Sequence, residues 1–205
     1  MPGTEPIVVH LIDDDEGVRE GLTILLAEAG FMVRSYKSGT DFLEGLSTAN
    51  AGVIISDIRM PGIDGLELQQ RLKSANKMLP LIFITGHGDI QMAVQAIREG
   101  ASDFIEKPFD DQILIDAVHT ALKRKAPTPL PTPNAEVAER LGSLTPRERE
   151  VLDCLVNGKL NKITAHELGM SVRTVETHRA RIMQKMQARS LSELVRQVVS
   201  VQGAS

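Results

Sequence analysis

The chain has 205 residues, of which 42% are hydrophobic and 24% charged, with a formal net charge of −4; this is enough for two modest domains with buried cores. It holds no Trp, one Tyr and five Phe, so its cores must be built from Leu, Ile, Val, Ala and Met. The single cysteine, Cys154, excludes an internal disulfide framework, no apolar run reaches bilayer length and no leader pattern opens the chain, so a cytoplasmic protein with no membrane partner is expected.

Taken in chain order, five short apolar runs at residues 7–12, 31–33, 53–56, 81–84 and 104–105 predict strands. The third and fourth are continuously apolar, as strands covered on both faces are. Helices are predicted between and after them at 16–29, 39–46, 65–74, 90–99 and 110–124, with Gly30 and Gly100 as helix-ending residues. Five βα units predict an α/β fold, a doubly wound parallel sheet with right-handed crossovers.

A proline then stands at every second position from Pro127 to Pro133. That pattern removes backbone donors and favours extended geometry, so residues 125–138 are expected to be a semi-rigid linker between two domains, 1–124 and 139–205. Beyond it the chain reads as all-α. Thr145-Pro-Arg-Glu148 is a capping box with proline at the first helical position, starting a helix to about residue 156. A second helix is expected at 161–168 before Gly169, and a third from the cap Ser171 to about 186. A second capping box, Ser190 with Glu193, starts a fourth at 191–199. Helix, tight glycine turn and helix form a helix-turn-helix. Charge divides the same way: residues 1–140 hold 13 basic and 21 acidic side chains, residues 141–205 hold 10 and 6. The basic half suits nucleic acid, although imbalances of this size also occur on ordinary solvated surfaces.

If the strands are parallel, their carboxyl ends share one edge, where open α/β sheets bind ligands. Asp13, Asp14, Asp57, Thr85 and Lys107 lie just beyond those ends. Clustered carboxylates repel unless a cation neutralises them, and oxygen ligands suit a hydrated Mg²⁺. A carboxylate can also act as a phosphoryl nucleophile, with a lysine and a hydroxyl to neutralise and bind the phosphoryl oxygens. Singly, each residue has a plainer reading: Lys107 as a surface lysine, Thr85 as a strand-end hydroxyl, Asp57 as a turn cap. Asp15 and Glu16 read as the acidic start of the first helix.

Asp13-Asp14, Ser56-Asp-Ile-Arg-Met-Pro-Gly62, Ile84-Thr-Gly86 and Lys107-Pro108, in this order, resemble the receiver domain of bacterial two-component response regulators over residues 5–124. From Leu144, the segments Leu144-Thr-Pro-Arg-Glu-Arg-Glu-Val-Leu152, Asn161-Lys162, Leu168-Gly-Met-Ser171, Thr174-Val175, His178 and Lys185 resemble the LuxR-type helix-turn-helix of the NarL/FixJ family. Ile163-Thr164 departs from that pattern, in which a polar residue and isoleucine are usual.

The resemblance implies a flavodoxin-like five-stranded receiver followed by a four-helix DNA-binding domain. It implies that Asp13 or Asp14, with Asp57 and the backbone carbonyl of Arg59, hold Mg²⁺, and that Asp57 accepts phosphate from a sensor histidine kinase. Thr85 and Lys107 are then the phosphoryl-binding groups, Lys107-Pro108 a cis peptide, and Thr85 with Phe104 the switch. It further implies a phosphorylated homodimer, with Val94 and Arg98 as exposed residues of the dimer face, acting on promoter DNA and RNA polymerase. Segments Ile84-Thr-Gly-His-Gly-Asp89 and Asp103-Phe-Ile-Glu-Lys-Pro-Phe109 resemble the FixJ-like branch, implying a FixL-like kinase and nitrogen-fixation genes. Such a protein activates transcription and is no enzyme beyond weak self-phosphorylation and self-dephosphorylation.

On the third helix of the second domain, Val175 and Arg181 or His178 are expected against bases, Val175 through a thymine methyl. Lys162, Arg173, Thr174 and Lys185 are expected against phosphates. Core packing is the competing reading for Val175, Phe104 and Cys154. The stripe Leu194, Val195, Val198 and Val199 is expected to complete the core or form a dimer seam. Two other functions remain open. Asp13-x-Asp15 with Thr85 and Lys107 echoes phosphatases of the haloacid dehalogenase type, with Asp13 as nucleophile; a LuxR-type regulator sensing a small molecule is the third.

Overall fold

A computed structural model of the chain describes residues 7–45, 51–75, 77, 79–86, 90–123 and 135–202. Most of the expected proline linker lies outside them. Strands β1 (Val8–Ile12), β2 (Met32–Tyr36), β3 (Val53–Asp57), β4 (Leu81–Thr85) and β5 (Asp103–Glu106) form one parallel sheet in the order β2-β1-β3-β4-β5. This is the flavodoxin-like order. The intervening helices are α1 (Glu16–Glu28), α2 (Gly39–Glu44), α3 (Gly65–Ser74), α4 (Ile90–Arg98) and α5 (Asp111–Lys123). Among the described residues, no helix is long and apolar enough to cross a membrane.

The chain divides into two compact units, Met1–His87 with Ala101–Pro127 and Gly88–Gly100 with Thr128–Ser205. In the first, Val9, Leu11, Val53, Ile55, Ile82, Ile84 and Ile105 of the sheet pack with Leu22 and Leu26 of α1 and Leu114, Ala117, Val118 and Ala121 of α5. Side chains alternate along a strand, so His10 and Phe83 face the other way. There the His10 ring meets Phe42 of α2, centroids 5.5 Å apart. A Cβ on Gly65 would stand 2.7 Å from Phe83 Cε1 and 2.8 Å from the Asp57 carbonyl, so the start of α3 approaches β3 and β4 this closely only as glycine.

Strand β2 begins at Met32, one residue after the expected start, and runs on through Arg34 and Ser35. It is the sheet edge, and both of these side chains are exposed. A search for apolar runs therefore finds only its first part, since an edge strand has no need of continuous apolar cover.

The second unit holds α4 and α6 (Ala135–Gly142), α7 (Pro146–Val156), α8 (Asn161–Leu168), α9 (Val172–Met186) and α10 (Leu191–Gln202). Four of these match the expected helices of the DNA-binding domain. Helix α6 is additional and starts inside the expected linker; Val137, 6% exposed, anchors it in the core. The Thr145 capping box is complete, with both reciprocal bonds formed. Gly169 closes α8 at φ 64°, the left-handed geometry that glycine adopts without strain. At α10, Ser190 caps the Glu193 amide, while the Glu193 carboxylate accepts from Arg189 N instead of Ser190 N. Leu194, Val195 and Val198 are buried and Val199 is half-buried, so three of the four residues of the α10 stripe are covered within the chain.

Candidate functional site

The sheet brings four of the predicted residues to one edge. Asp13 follows β1, Asp57 and Thr85 end β3 and β4, and Lys107 follows β5. Strands β1 and β3 are neighbours with β2 outside β1, so the chain reverses its winding here, which is where doubly wound sheets hold ligands. Lys107 Nζ stands 3.0 Å from Asp57 Oδ2 and 3.4 Å from Asp13 Oδ2. The Lys107 amide donates to the Thr85 carbonyl at 2.8 Å, tying the ends of β4 and β5, and Lys107-Pro108 is cis.

Each carboxylate is also held by its own loop. Asp13, 2% exposed, accepts from the Asp15 amide at 2.9 Å, and Asp57 accepts from the Arg59 amide at 3.0 Å. Arg19, a residue the sequence reading passed over, clamps the loop from α1 by donating to the Asp13 and Asp14 carbonyls at 2.8 and 3.0 Å. Asp14 is exposed, while Asp15 caps α1 through the Val18 amide, as expected.

Burial pushes the Asp13 pKa up; the Asp15 amide and Lys107 oppose this, and the Asp57 charge adds to it. For Lys107, burial pulls down, but the bond to Asp57 and the charges of Asp57 and Asp13 outweigh it and leave the ammonium raised. Two carboxylates thus share one cation, which leaves net negative charge in a half-closed site.

The donors fit a hard divalent cation in kind, being carboxylate oxygens with Asp14 adjacent in sequence. Among the described residues, no group of three or more His, Cys, Asp or Glu side chains already surrounds one metal position. Thr85 is fully buried and its hydroxyl donates to the Gly86 carbonyl at 3.1 Å, away from the Lys107 bridge. Phe104 is 6% exposed on β5 beside Phe83. Val94, expected on an exposed dimer face, is 2% exposed and shares its buried side of α4 with Ala93, Ala96 and Ile97. Arg98 is exposed and donates to the Val156 carbonyl at 3.1 Å.

In the second unit the predicted DNA contacts divide. Lys162, Arg173, Thr174 and Arg181 are exposed. Val175 is not: with Ile182 and Met186 it forms the fully buried stripe of α9, so core packing displaces the expected thymine contact. His178 is half-buried, with Nδ1 turned inside and no hydrogen-bond partner among the described residues. Lys185, expected on phosphate, bonds Glu148 Oε2 at 2.7 Å and the Ser143 carbonyl at 3.3 Å. The outward stripe opposite Val175 is Arg173, Thr177, Ala180 and Gln184, all exposed. The sequence reading missed the last three; the 3.6-residue period measured from the buried side finds them.

A strand-end acidic site bridged by lysine, in one chain with a helix-turn-helix, defines a DNA-binding response regulator. The response regulator receiver domain family matches residues 9–119, and the luxR family of bacterial regulatory proteins matches residues 142–198. The chain is 48% identical over 193 residues to the transcriptional regulatory protein FixJ of Azorhizobium caulinodans, covering 94% of this chain and 92% of that protein. It is 42% identical over 190 residues to the response regulator protein TodT of Pseudomonas putida, covering 92% and 84% respectively. The crystal structure of full-length FixJ from B. japonicum is 41% identical with a TM-score of 0.57, over 98% of this chain and 99% of that one. The chain belongs to the FixJ-like response regulators, transcriptional regulators that join a receiver to a LuxR-type DNA-binding domain. That membership replaces the phosphatase and small-molecule-sensor readings.

Proposed function

We propose that a sensor histidine kinase phosphorylates Asp57, and that the phosphorylated chain dimerises and binds promoter DNA through α9. The observation that carries this reading is the Lys107 ammonium lying against both Asp57 and Asp13. An Asp57 oxygen attacks the phosphorus, an O–P bond forms, and the P–N bond to the kinase imidazole breaks as that ring leaves. Phosphoryl transfer needs positioning and charge neutralisation above all. Lys107 supplies one cation and is already held by the groups it serves. The Arg59 amide fixes one Asp57 oxygen, which leaves the carboxylate oriented before the donor arrives. Asp13, Asp14, Asp57 and the Arg59 carbonyl are the groups that would hold Mg²⁺, which would supply a second positive charge for the phosphoryl oxygens. Thr85 then exchanges its bond to Gly86 for one to the phosphoryl group, and Phe104 follows the movement.

On DNA, Arg173 and Lys162 suit phosphates, while Thr177, Ala180 and Arg181 stand where α9 meets base edges. The methyl groups of Thr177 and Ala180 take over the apolar reading expected of Val175. A dimer supplies the second half-site. The identity to FixJ supports a FixL-like kinase, RNA polymerase as downstream partner and a nitrogen-fixation regulon as the finer assignment.

Incubation with Mg²⁺ and acetyl phosphate, followed by intact mass, tests the acceptor. One stable phosphoryl adduct, absent from Asp57→Asn, is expected; an adduct that persists in Asp57→Asn or turns over through Asp13 would overturn the assignment. Binding isotherms at stated salt should then tighten on phosphorylation in the wild type alone.

A further inference from the structure

Lys185 and Glu148 are 37 residues apart in sequence and join α9, the second helix of the helix-turn-helix, to α7, the helix before it. Glu148 is the third residue of α7 and is 3% exposed; Lys185 lies in the last turn of α9. A single carboxylate oxygen, Glu148 Oε2, accepts from both Lys185 Nζ at 2.7 Å and the Thr145 amide at 2.8 Å. The same ammonium reaches the Ser143 carbonyl at 3.3 Å, just before the start of α7. The carboxylate that caps α7 therefore also fastens the far end of α9.

We propose that the Glu148–Lys185 pair is a positioning element that sets how α9 is seated for base reading, and that Lys185 is not a phosphate ligand. This rests on the reading of α9 as the recognition helix. A phosphate could recruit Lys185 only by leaving the buried Glu148 carboxylate without its cation, and an uncompensated buried charge costs far more than a solvent-exposed phosphate contact returns. Val175, Ile182 and Met186 hold α9 by its apolar stripe, but apolar packing is non-directional and leaves some freedom to slide and roll. A charge-assisted bond between fixed helix ends removes that freedom.

The test uses the full-length protein phosphorylated with Mg²⁺ and acetyl phosphate, and two duplexes: one enriched by the wild type from a random pool, and one shuffled from it. Affinity for both is measured against KCl concentration for wild type, Lys185→Met, Lys185→Arg and the double variant Glu148→Gln with Lys185→Met. The double variant leaves no buried charge unpaired, so it keeps the test alive if a single variant misfolds. Expected are a loss of about tenfold in discrimination between the duplexes for Lys185→Met and the double variant, retention in Lys185→Arg, and an unchanged salt slope. A fall of about 1 in the slope on both duplexes with discrimination intact would make Lys185 a phosphate ligand and overturn the proposal. Unchanged discrimination in the folded variants would overturn it too. A wild type that enriches no duplex overturns the recognition-helix reading itself.

Discussion

Val175 and Thr177 lie on opposite sides of α9, the first fully buried beside Ile182 and Met186, the second exposed with its hydroxyl bonded to the Arg173 carbonyl at 2.9 Å. Two residues turn a helix by about 200°, so these neighbours divide the labour of the helix between folding and reading. Val175→Ala should lower unfolding free energy by about 1–3 kcal/mol and leave base preference intact. Thr177→Ala should leave stability within about 0.5 kcal/mol and change base preference. Urea unfolding and duplex selection on both variants check the division; a reversed pattern refutes it.

Lys107 is the shared counter-ion of Asp57 and Asp13. Lys107→Met should destabilise the metal-free protein at pH 7 by about 1–3 kcal/mol, because the carboxylates lose their charge-assisted bonds. The raised Lys107 pKa gives its sign: the contribution is fully present below the usual lysine value of 10.5 and is lost as pH rises through the higher folded value. The gap between wild-type and variant denaturation midpoints should stay constant from pH 7 to about 10 and begin to narrow above 10.5.

The Asp13 pKa is raised, so its ionised form is a net cost to the fold, incurred as pH rises above 3.8. Asp13→Asn should therefore stabilise the metal-free protein at pH 7. On the proposed reading Mg²⁺ is a ligand of the native state, and it should then stabilise the wild type by about 2.7 kcal/mol at a hundred times its Kd. Thermal scans with and without Mg²⁺ should show that rise in the wild type and little of it in Asp13→Asn.

Glu148 has its pKa held down at about 2, first by Lys185 and then by the Thr145 amide. A depressed carboxylate stabilises the fold above its unfolded value of 4.5 and loses that contribution as pH falls towards 2. After allowance for solvent around Lys185, about 2 kcal/mol should vanish across that window. Glu148→Gln should flatten the acid limb of the stability curve; an acid limb as steep as the wild type's refutes the prediction.

Thr164 is fully buried, and its hydroxyl has no hydrogen-bond partner among the described residues. It occupies the position where the LuxR-type pattern usually has isoleucine. Thr164→Val removes the hydroxyl at nearly constant volume and should stabilise the protein by about 1 kcal/mol. A loss of stability on chemical denaturation would show that the hydroxyl is satisfied by water.

The amino-acid sequence by itself determined the strand and helix order apart from α6, the caps at Thr145 and Ser171, and the four residues Asp13, Asp57, Thr85 and Lys107 that meet at the sheet edge. These follow from local rules: alternation, the 3.6-residue period, capping chemistry, and the common direction of parallel strands. What only the tertiary structure decided are the pairings across long separations. Lys185 and Lys162 are both lysines on the helix-turn-helix, yet one is fastened to Glu148 and the other is exposed. Arg19 became part of the acidic site because α1 folds back over its own loop, and Val94 and Val175 went inside because packing chose which apolar side chains of an amphipathic helix to cover. Periodicity says that a helix has a buried side; the neighbours against which it packs set where that side begins and ends.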